Sequence, residues 1–245
     1  MMGPMSPSRA QRREDVTARV LEIGRQHLAE HGAAGLSLRA VTRDLGMVSS
    51  AVYRYVASRD ELLTLLLVDA YGSQADAVAA AVATASERRW HERLLVAARA
   101  FRAWAVAEPS RYALLYGSPV PGYAAPPEAT VEPGTRVIGT LLRLVGEGVA
   151  AGEVADGPAP DAVVEPSAHD LAVVAEQVGM AVDPSVMARA LLVWATVVGG
   201  TSLEVFGQYG TETFRDPEQV FTAQVRMAVA VLRGDLANGQ DGDVP

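Results

Sequence analysis

The 245 residues are 49% hydrophobic and include no cysteine, a composition that is typical of a globular protein and excludes disulfides, thiolate catalysis and cysteine-based zinc sites. The formal net charge of −8 is uneven, because residues 1–60 carry nine arginines and six acidic residues whereas the remainder carries twelve arginines and twenty-three acidic residues. This balance argues against indiscriminate binding to nucleic acid but allows a local basic contact surface.

The sequence carries no evident signal for export or membrane insertion. Its N-terminus contains arginines without an apolar segment behind them, unlike a secretory signal. The charge-free stretch 190–203 is shorter than the roughly 20 residues that a membrane crossing needs. We therefore expect a cytoplasmic protein with no membrane partner.

Helical periodicity dominates the N-terminal third of the chain. Four helices are predicted there, over residues 12–31, 38–45, 48–56 and 58–85. Gly32 and Gly46 end the first and second helices, because glycine is favoured just past a helix C-terminus. Ser37 caps the second helix, and a capping box that begins at Ser58 opens the fourth.

The rest of the chain also has helical period and almost no strand alternation. The predicted helices are 87–107, a short one ending at 116, 135–151, 169–178, 184–209 and 217–232. Two proline-rich segments, 118–134 and 152–166, are predicted to be loops. Residues 234–245 are expected to form a disordered tail. The fold class is therefore predicted to be all-α.

The third predicted helix has an unusual exposed face. Val52 and Val56 lie together on its apolar side, whereas Ser50 and Arg54 lie on the opposite side. No acidic residue occurs from residue 47 to residue 58. Hydroxyl groups, a phenol and an arginine without acids suit a surface that meets phosphates and base edges. Together with the glycine turn before it, this face predicts a helix-turn-helix DNA-binding head, the alternative being an ordinary three-helix packing unit.

The expected roles of these residues follow from helix-turn-helix geometry, in which the second helix of the motif enters the major groove. Arg54 is expected to donate to guanine, and Arg59, at the start of the fourth helix, to hold a phosphate. Residues 1–11 are expected to form a flexible basic arm that adds sequence-independent attraction. The predicted DNA-binding residues are Ser37, Arg39, Ser49, Ser50, Tyr53, Arg54, Tyr55 and Arg59.

Residues 36–63, LSLRAVTRDLGMVSSAVYRYVASRDELL, resemble the DNA-binding head of TetR-type (tetracycline-repressor-like) bacterial transcription regulators. Tyr53, Tyr55 and Arg59 stand at characteristic positions of the family pattern. The chain departs from that pattern at two positions, where it has Val48 for the usual Ser and Val56 for the usual Phe. Segments 109–117 and 194–204 are similar to one subgroup of the family's C-terminal domains.

The resemblance implies an all-helical homodimer, held by a four-helix bundle from the last two long helices of each chain. It also implies a small-molecule pocket in each core, whose occupation moves the two heads out of register with the operator. Residues 12–60 would then form the DNA-binding domain and residues 61–233 the ligand-binding and dimerisation domain. We expect a repressor that a small apolar or aromatic effector releases from a palindromic double-stranded DNA operator.

The aromatic side chains of the body are the candidates for lining the effector pocket, although each is also compatible with plain core. They are Phe101, Trp104, Tyr112, Tyr116 and Trp194. His27 and His31 have metal-ligand spacing but no accompanying ligands, and no catalytic motif is present, so no metal, cofactor or enzymatic activity is predicted. Two alternatives remain open: a helical small-molecule-binding protein with a degenerate head, and a transcriptional activator of the same fold.

Overall fold

The computed structural model describes residues 9–47, 49–154, 165, 167–210 and 212–235. Every regular element in these residues is helical, which confirms the all-α prediction. The helices are α1 Arg9–Gly35, α2 Leu38–Asp44, α3 Ser49–Val52, α4 Arg59–Thr84, α5 Trp90–Ala107, α6 Pro109–Tyr116, α7 Pro127–Ala150, α8 Ser167–Gln177, α9 Pro184–Val205 and α10 Pro217–Arg233.

The chain divides into two compact units. The first unit comprises Met1–Ser73 and Glu108–Gly134, and the second comprises Gln74–Ala107 and Thr135–Pro245. The first unit therefore includes α6 as well as the helices of the predicted head. The predicted boundary at residue 60 falls at the start of α4, and as a division of function it remains a prediction.

The core of the first unit is formed by apolar residues from α1, α2, α3 and the start of α4. The buried members are Val20, Leu36, Leu38, Val41, Leu45, Val52, Val56, Leu62, Leu63 and Leu66. Burying one such side chain contributes about 1.5–3 kcal/mol. Val56, which stands where the related family usually has Phe, is completely buried. The two short helices α2 and α3 cannot bury a core alone, and this cluster packs them against α1 and α4.

The local stop and start signals of the head operate as predicted. Gly46 has a φ of 66°, which lets the chain turn sharply after α2. Ser37 Oγ accepts a hydrogen bond from the N–H of Ala40 at 3.4 Å. Ser58 Oγ accepts from the N–H of Glu61 at 3.0 Å, and the Glu61 carboxylate accepts from the N–H of Ala57 at 2.6 Å. Both caps satisfy backbone donors that a helix N-terminus otherwise leaves unpaired.

The predicted extent of the third helix is wrong, because α3 ends at Val52 and residues 53–55 form a turn. The N–H of Tyr55 donates to the carbonyl oxygen of Val52 at 2.8 Å, which tightens the end of the helix. The side chains of Val52 and Val56 are both fully buried. Packing of these residues into the core, together with the partly buried Tyr55, overrides the helical pattern.

The predicted loop 118–134 is wrong in its second part, since α7 begins at Pro127. Proline is accepted in the first turn, where its missing N–H needs no partner. Pro133 lies inside the helix and is buried, so its packing offsets the backbone hydrogen bond that it removes. The predicted loop 152–166 and the predicted tail lie largely outside the described residues.

An ion-pair network ties α5 to the last two helices within the second unit. Arg102 is buried, and its Nε donates to Glu204 Oε2 at 2.7 Å. Its Nη1 also donates to Glu218 Oε2 at 3.5 Å, while Arg99 pairs with the other oxygen of the same carboxylate. Breaking such a pair leaves a buried charge without compensation, so the network fixes the relative position of α5, α9 and α10.

Two helices, α4 and α9, have the length and apolar composition that a membrane crossing needs. In the most apolar window of each, 39% and 44% of the residues are buried inside the protein. Both helices supply side chains to the helical cores, which accounts for their hydropathy.

Candidate nucleic-acid interface and effector region

The predicted DNA-reading surface lies on the turn that follows α3. Tyr53 is 49% exposed, and Arg54 is also exposed. Tyr55 is instead half-buried and packs against the core of the first unit. The turn therefore presents a phenol and a guanidinium to solvent while the neighbouring aromatic ring anchors it.

The other predicted contact residues flank this turn. Ser37 and Arg39 are exposed at the start of α2, where Ser37 also serves as the helix cap. Ser49 and Ser50 lie in α3, and the positions of their side chains lie outside the described residues. Helix N-termini and exposed arginines are the groups that commonly contact phosphates.

Arg59 has a different environment from the one expected for a phosphate-binding residue. Its Nε donates to the carbonyl oxygen of Leu36 at 2.9 Å. Its Nη2 donates to the carbonyl oxygens of Ala33 and Ala34 at 3.0 and 3.1 Å. Ala33 and Ala34 belong to the last turn of α1, which ends at Gly35, so their carbonyls have no regular partner within the helix. In the structure Arg59 therefore fastens the start of α4 to the end of α1.

A charged cluster that sequence reasoning missed joins α1, α4 and α6 within the first unit. Asp69 on α4 accepts hydrogen bonds from Arg25 Nη2 at 2.8 Å and Nε at 3.0 Å. The same carboxylate accepts from Arg111 Nη2 at 2.9 Å, and Arg111 also donates to the backbone carbonyl of Asp69. Arg111 is buried, and this carboxylate and the more distant one of Glu108, 3.6 Å from its Nη1, compensate its charge. The segment 109–117 contained Arg111, but no local pattern indicated its partner.

His27 contacts an acidic residue of the neighbouring helix. Its Nε2 lies 2.7 Å from Asp44 Oδ2. This hydrogen bond, followed by the one from Arg43, lowers the pKa of the Asp44 carboxyl below its usual value. His31 stacks on His27 with ring centroids 5.5 Å apart. Among the described residues there is no group of three metal-ligating side chains.

The predicted pocket aromatics separate into two groups. In the second unit, Phe101 and Trp194 meet edge to face at 5.6 Å, and Trp104 is also buried. In the first unit, Tyr112 and Tyr116 lie 4.8 Å apart. The structure therefore brings these residues together as pairs, and it assigns the two pairs to different compact units.

Further tyrosines complete the cluster in the first unit. Burial is the main cause that raises the pKa of Tyr116, with smaller contributions from Tyr71 and Tyr112. Tyr123, from the segment after α6, forms a hydrogen bond of 2.9 Å between its hydroxyl and Thr64 Oγ1. Sequence reasoning missed Tyr71 and Tyr123, because neither belongs to the aromatic segments of α5, α6 and α9.

Helices α9 and α10 leave an apolar groove on the surface of the second unit. The groove has a volume of about 560 Å³ and is lined mainly by small and aliphatic residues. Leu192 and Met227 on its walls are 46% and 59% exposed. Gly199 and Gly200 of α9 also line the groove. Large apolar side chains beside glycines form a surface that a second helix can approach closely.

Comparison with known proteins finds similarity over most of the chain. A family model described as "Tetracyclin repressor-like, C-terminal domain" matches residues 94–228. The HTH-type transcriptional regulator Rv1816 of Mycobacterium tuberculosis is 51% identical over 222 residues, which cover 90% of this chain and 93% of that protein.

Solved structures give the same architecture. The regulatory protein SCO4313 is 33% identical, with a TM-score of 0.72, and the match covers 91% of this chain and 100% of that one. RolR, solved in complex with resorcinol, is 16% identical with a TM-score of 0.53, and the match covers 97% of this chain and 100% of that one. The second likeness, at such low identity, concerns the fold alone.

Proposed function

The chain belongs to the TetR family of helix-turn-helix transcriptional regulators, and from this premise we propose that it is a homodimeric repressor that a small molecule releases from a palindromic operator. Regulators of this family are non-enzymatic DNA-binding proteins, so the chain is a regulator and not an enzyme. We infer a cytoplasmic location, because the operator is there.

The observation that carries the proposal is the exposed surface around Tyr53 and Arg54, in a run without acidic residues. Arginine pairs with guanine through two parallel hydrogen bonds in the major groove, and a phenolic hydroxyl donates to phosphate. The core beneath, through Val52 and Val56, fixes the turn that presents both side chains. Ser37 and Arg39 would extend the contact at the start of α2, and Ser49 and Ser50 at the start of α3.

Homodimerisation is supported by the groove between α9 and α10. Leu192 and Met227 are apolar and unusually exposed there, and a second copy of the same face would cover them. A symmetric dimer places two heads on two half-sites that are one helical turn of DNA apart or a multiple of it. Four helices, two from each chain, would then form the dimer interface.

Release by an effector is supported by the two aromatic pairs, each of which joins a buried ring to a half-buried one. Phe101 with Trp194, and Tyr112 with Tyr116, supply the apolar and aromatic surface that binds flat organic molecules. RolR was solved with resorcinol, which is an aromatic ligand of that protein. An effector that binds one conformation better than the other changes operator affinity by about 5- to 150-fold, through a coupling of about 1–3 kcal/mol.

The proposal is tested by selecting bound fragments from a genomic DNA pool at a fixed salt concentration near physiological. A palindrome enriched by the wild-type chain supports the regulator, and an Arg54→Glu variant is the control that places an acid on the reading surface. Enrichment without inverted symmetry would contradict the symmetric dimer. Transcription in vitro from the recovered site then separates repression from activation.

A further inference from the structure

A second cavity lies between α5 and α10 in the second unit, and its lining includes no residue of the reading surface or of the aromatic pairs. Its volume is about 310 Å³, near the lower end of the range for small-molecule pockets. Its walls are formed largely by Leu95, Val229, Ala230, His91, Arg226 and Arg233. The four residues from α10 follow helical spacing, so they share one face of that helix. This cavity shares no lining residue with the groove between α9 and α10.

The two arginines of this cavity have spare hydrogen-bond donors. Arg226 is exposed and forms neither a hydrogen bond nor an ion pair with the residues that the structure describes. The Nε of Arg233 is buried, and none of the residues that the structure describes accepts a hydrogen bond from it. Its Nη1 lies 3.3 Å from Asp235 Oδ2. Guanidinium groups with unused donors are suited to bind an anion, because each can offer two parallel N–H groups to a carboxylate.

His91 lies at one wall of the cavity, between groups of both charges. His91 faces Arg233 and Arg89 as cations and Glu153 and Glu92 as anions. Burial, then Arg233 and Arg89, lower the pKa of His91, and these effects exceed the opposite effects of the two carboxylates. Its Nδ1 is buried and has no hydrogen-bond partner among the described residues. The nearest acid to this nitrogen is Glu153, whose Oε2 lies 3.8 Å away.

We propose that this cavity binds a small organic monocarboxylate, whose carboxylate pairs with Arg226 and Arg233 and whose apolar part packs on Leu95 and Val229. The apolar wall favours a ligand with a hydrocarbon body over a bare inorganic anion. Glu92 and Asp235 also line the cavity and would repel a second negative charge on the ligand. This site does not depend on DNA binding or on the effector pocket proposed above.

The test is a titration of the full chain with benzoate, followed by NMR of the four histidine rings. The resonance of His91 is assigned by its loss in a His91→Gln variant. We expect benzoate to shift this resonance saturably, and benzamide, the neutral molecule of the same shape, to leave it in place. Arg226→Gln should weaken benzoate binding about tenfold or more, which is what the loss of a charge-assisted hydrogen bond costs.

The matched control is Arg215→Gln, which removes an exposed arginine of the same unit outside the cavity and should leave benzoate affinity unchanged. Arg226 is exposed and unpaired in the described structure, so its variant is expected to fold normally, and a thermal melt verifies this. Equal binding of benzamide, equal affinity of the two variants, or a shift that never saturates would each overturn the proposal. Displacement of benzoate by an equal concentration of inorganic phosphate would overturn the monocarboxylate assignment.

Discussion

The indole ring of Trp90 lies directly against Gly148, so that a β-carbon added to this glycine would meet indole atoms at 2.5–2.8 Å. The ring cannot move freely, because its Nε1 donates to Glu153 Oε2 at 2.9 Å. Trp90 is the first residue of α5, and Gly148 is near the end of α7. Only glycine permits this close approach of the two helices.

Gly148→Ala is therefore expected to lower the free energy of unfolding by about 1–3 kcal/mol, the usual cost of overpacking a core. Gly139→Ala is the matched control, because a β-carbon at Gly139 in the same helix meets nothing within 4 Å. Alanine at that position should be neutral or stabilise by up to about 1 kcal/mol. Urea unfolding followed by circular dichroism measures both variants, and equal stabilities would refute the contact as a constraint.

Asp69→Asn should destabilise the first unit by about 1.5–3 kcal/mol, because the buried guanidinium of Arg111 loses its charged partner at 2.9 Å and retains the more distant carboxylate of Glu108. The control is Asp76→Asn, which also removes an aspartate of α4 that pairs with an arginine. Asp76 is 72% exposed and pairs with Arg136 at the surface, so its loss should cost about 1 kcal/mol or less. Thermal unfolding of both variants gives the comparison. Equal stability of the two variants would show that the cluster of Arg25, Asp69 and Arg111 does not stabilise the unit.

Arg59→Ala is expected to lower the stability of the fold and to leave the salt dependence of DNA binding unchanged. Loss of its hydrogen bonds to the carbonyls of Leu36, Ala33 and Ala34 should cost about 2 kcal/mol. At a temperature where the variant is folded, the slope of log affinity against log salt should match that of the wild type. A slope smaller by about one, with unchanged thermal stability, would instead show that Arg59 neutralises a phosphate.

Arg54→Ala is expected to relax base preference, with a loss of about 1–3 kcal/mol confined to operators that carry the base Arg54 reads. Arg43→Ala is the control, because Arg43 is an exposed arginine of the same head that pairs with Asp44. Affinities for a series of single-base operator variants measure the effect. Uniform weakening on every sequence would assign Arg54 to the DNA backbone.

Tyr116→Phe is expected to reduce the loss of stability at alkaline pH. Burial raises the pKa of Tyr116 in the folded protein above the usual value of 10.0. Above pH 10 the unfolded chain loses this proton while the folded chain keeps it, so stability is full below that pH and falls as pH rises. Urea unfolding between about pH 8 and pH 11, a range that spans the usual tyrosine pKa, should show a shallower fall in the variant than in the wild type. An equally steep fall in the two proteins would contradict the prediction.

Local signals predicted the limits of several elements correctly. Ser37 and Ser58 cap the helices that follow them. The third helix is shorter than predicted, because it ends at Val52, where packing into the core replaces the helical pattern. The start of α7 at Pro127 was predicted wrongly, because proline usually ends a helix, although it is favoured in the first turn. Such errors arise where one residue type both ends helices and is favoured at their first positions, as proline is.

The helical class, the turn at Gly46 and the acid-free run that carries Tyr53 and Arg54 could all be predicted from the amino-acid sequence. These features depend on glycine conformation, capping groups and periodicity, which act within a few residues along the chain. The hydrogen bonds of Arg59 to carbonyls more than twenty residues away and the packing of Trp90 on Gly148 are visible in the folded chain and could not be predicted. Such contacts depend on how closely separate helices approach one another. No local pattern in the sequence specifies the distance between two helices that are far apart along the chain.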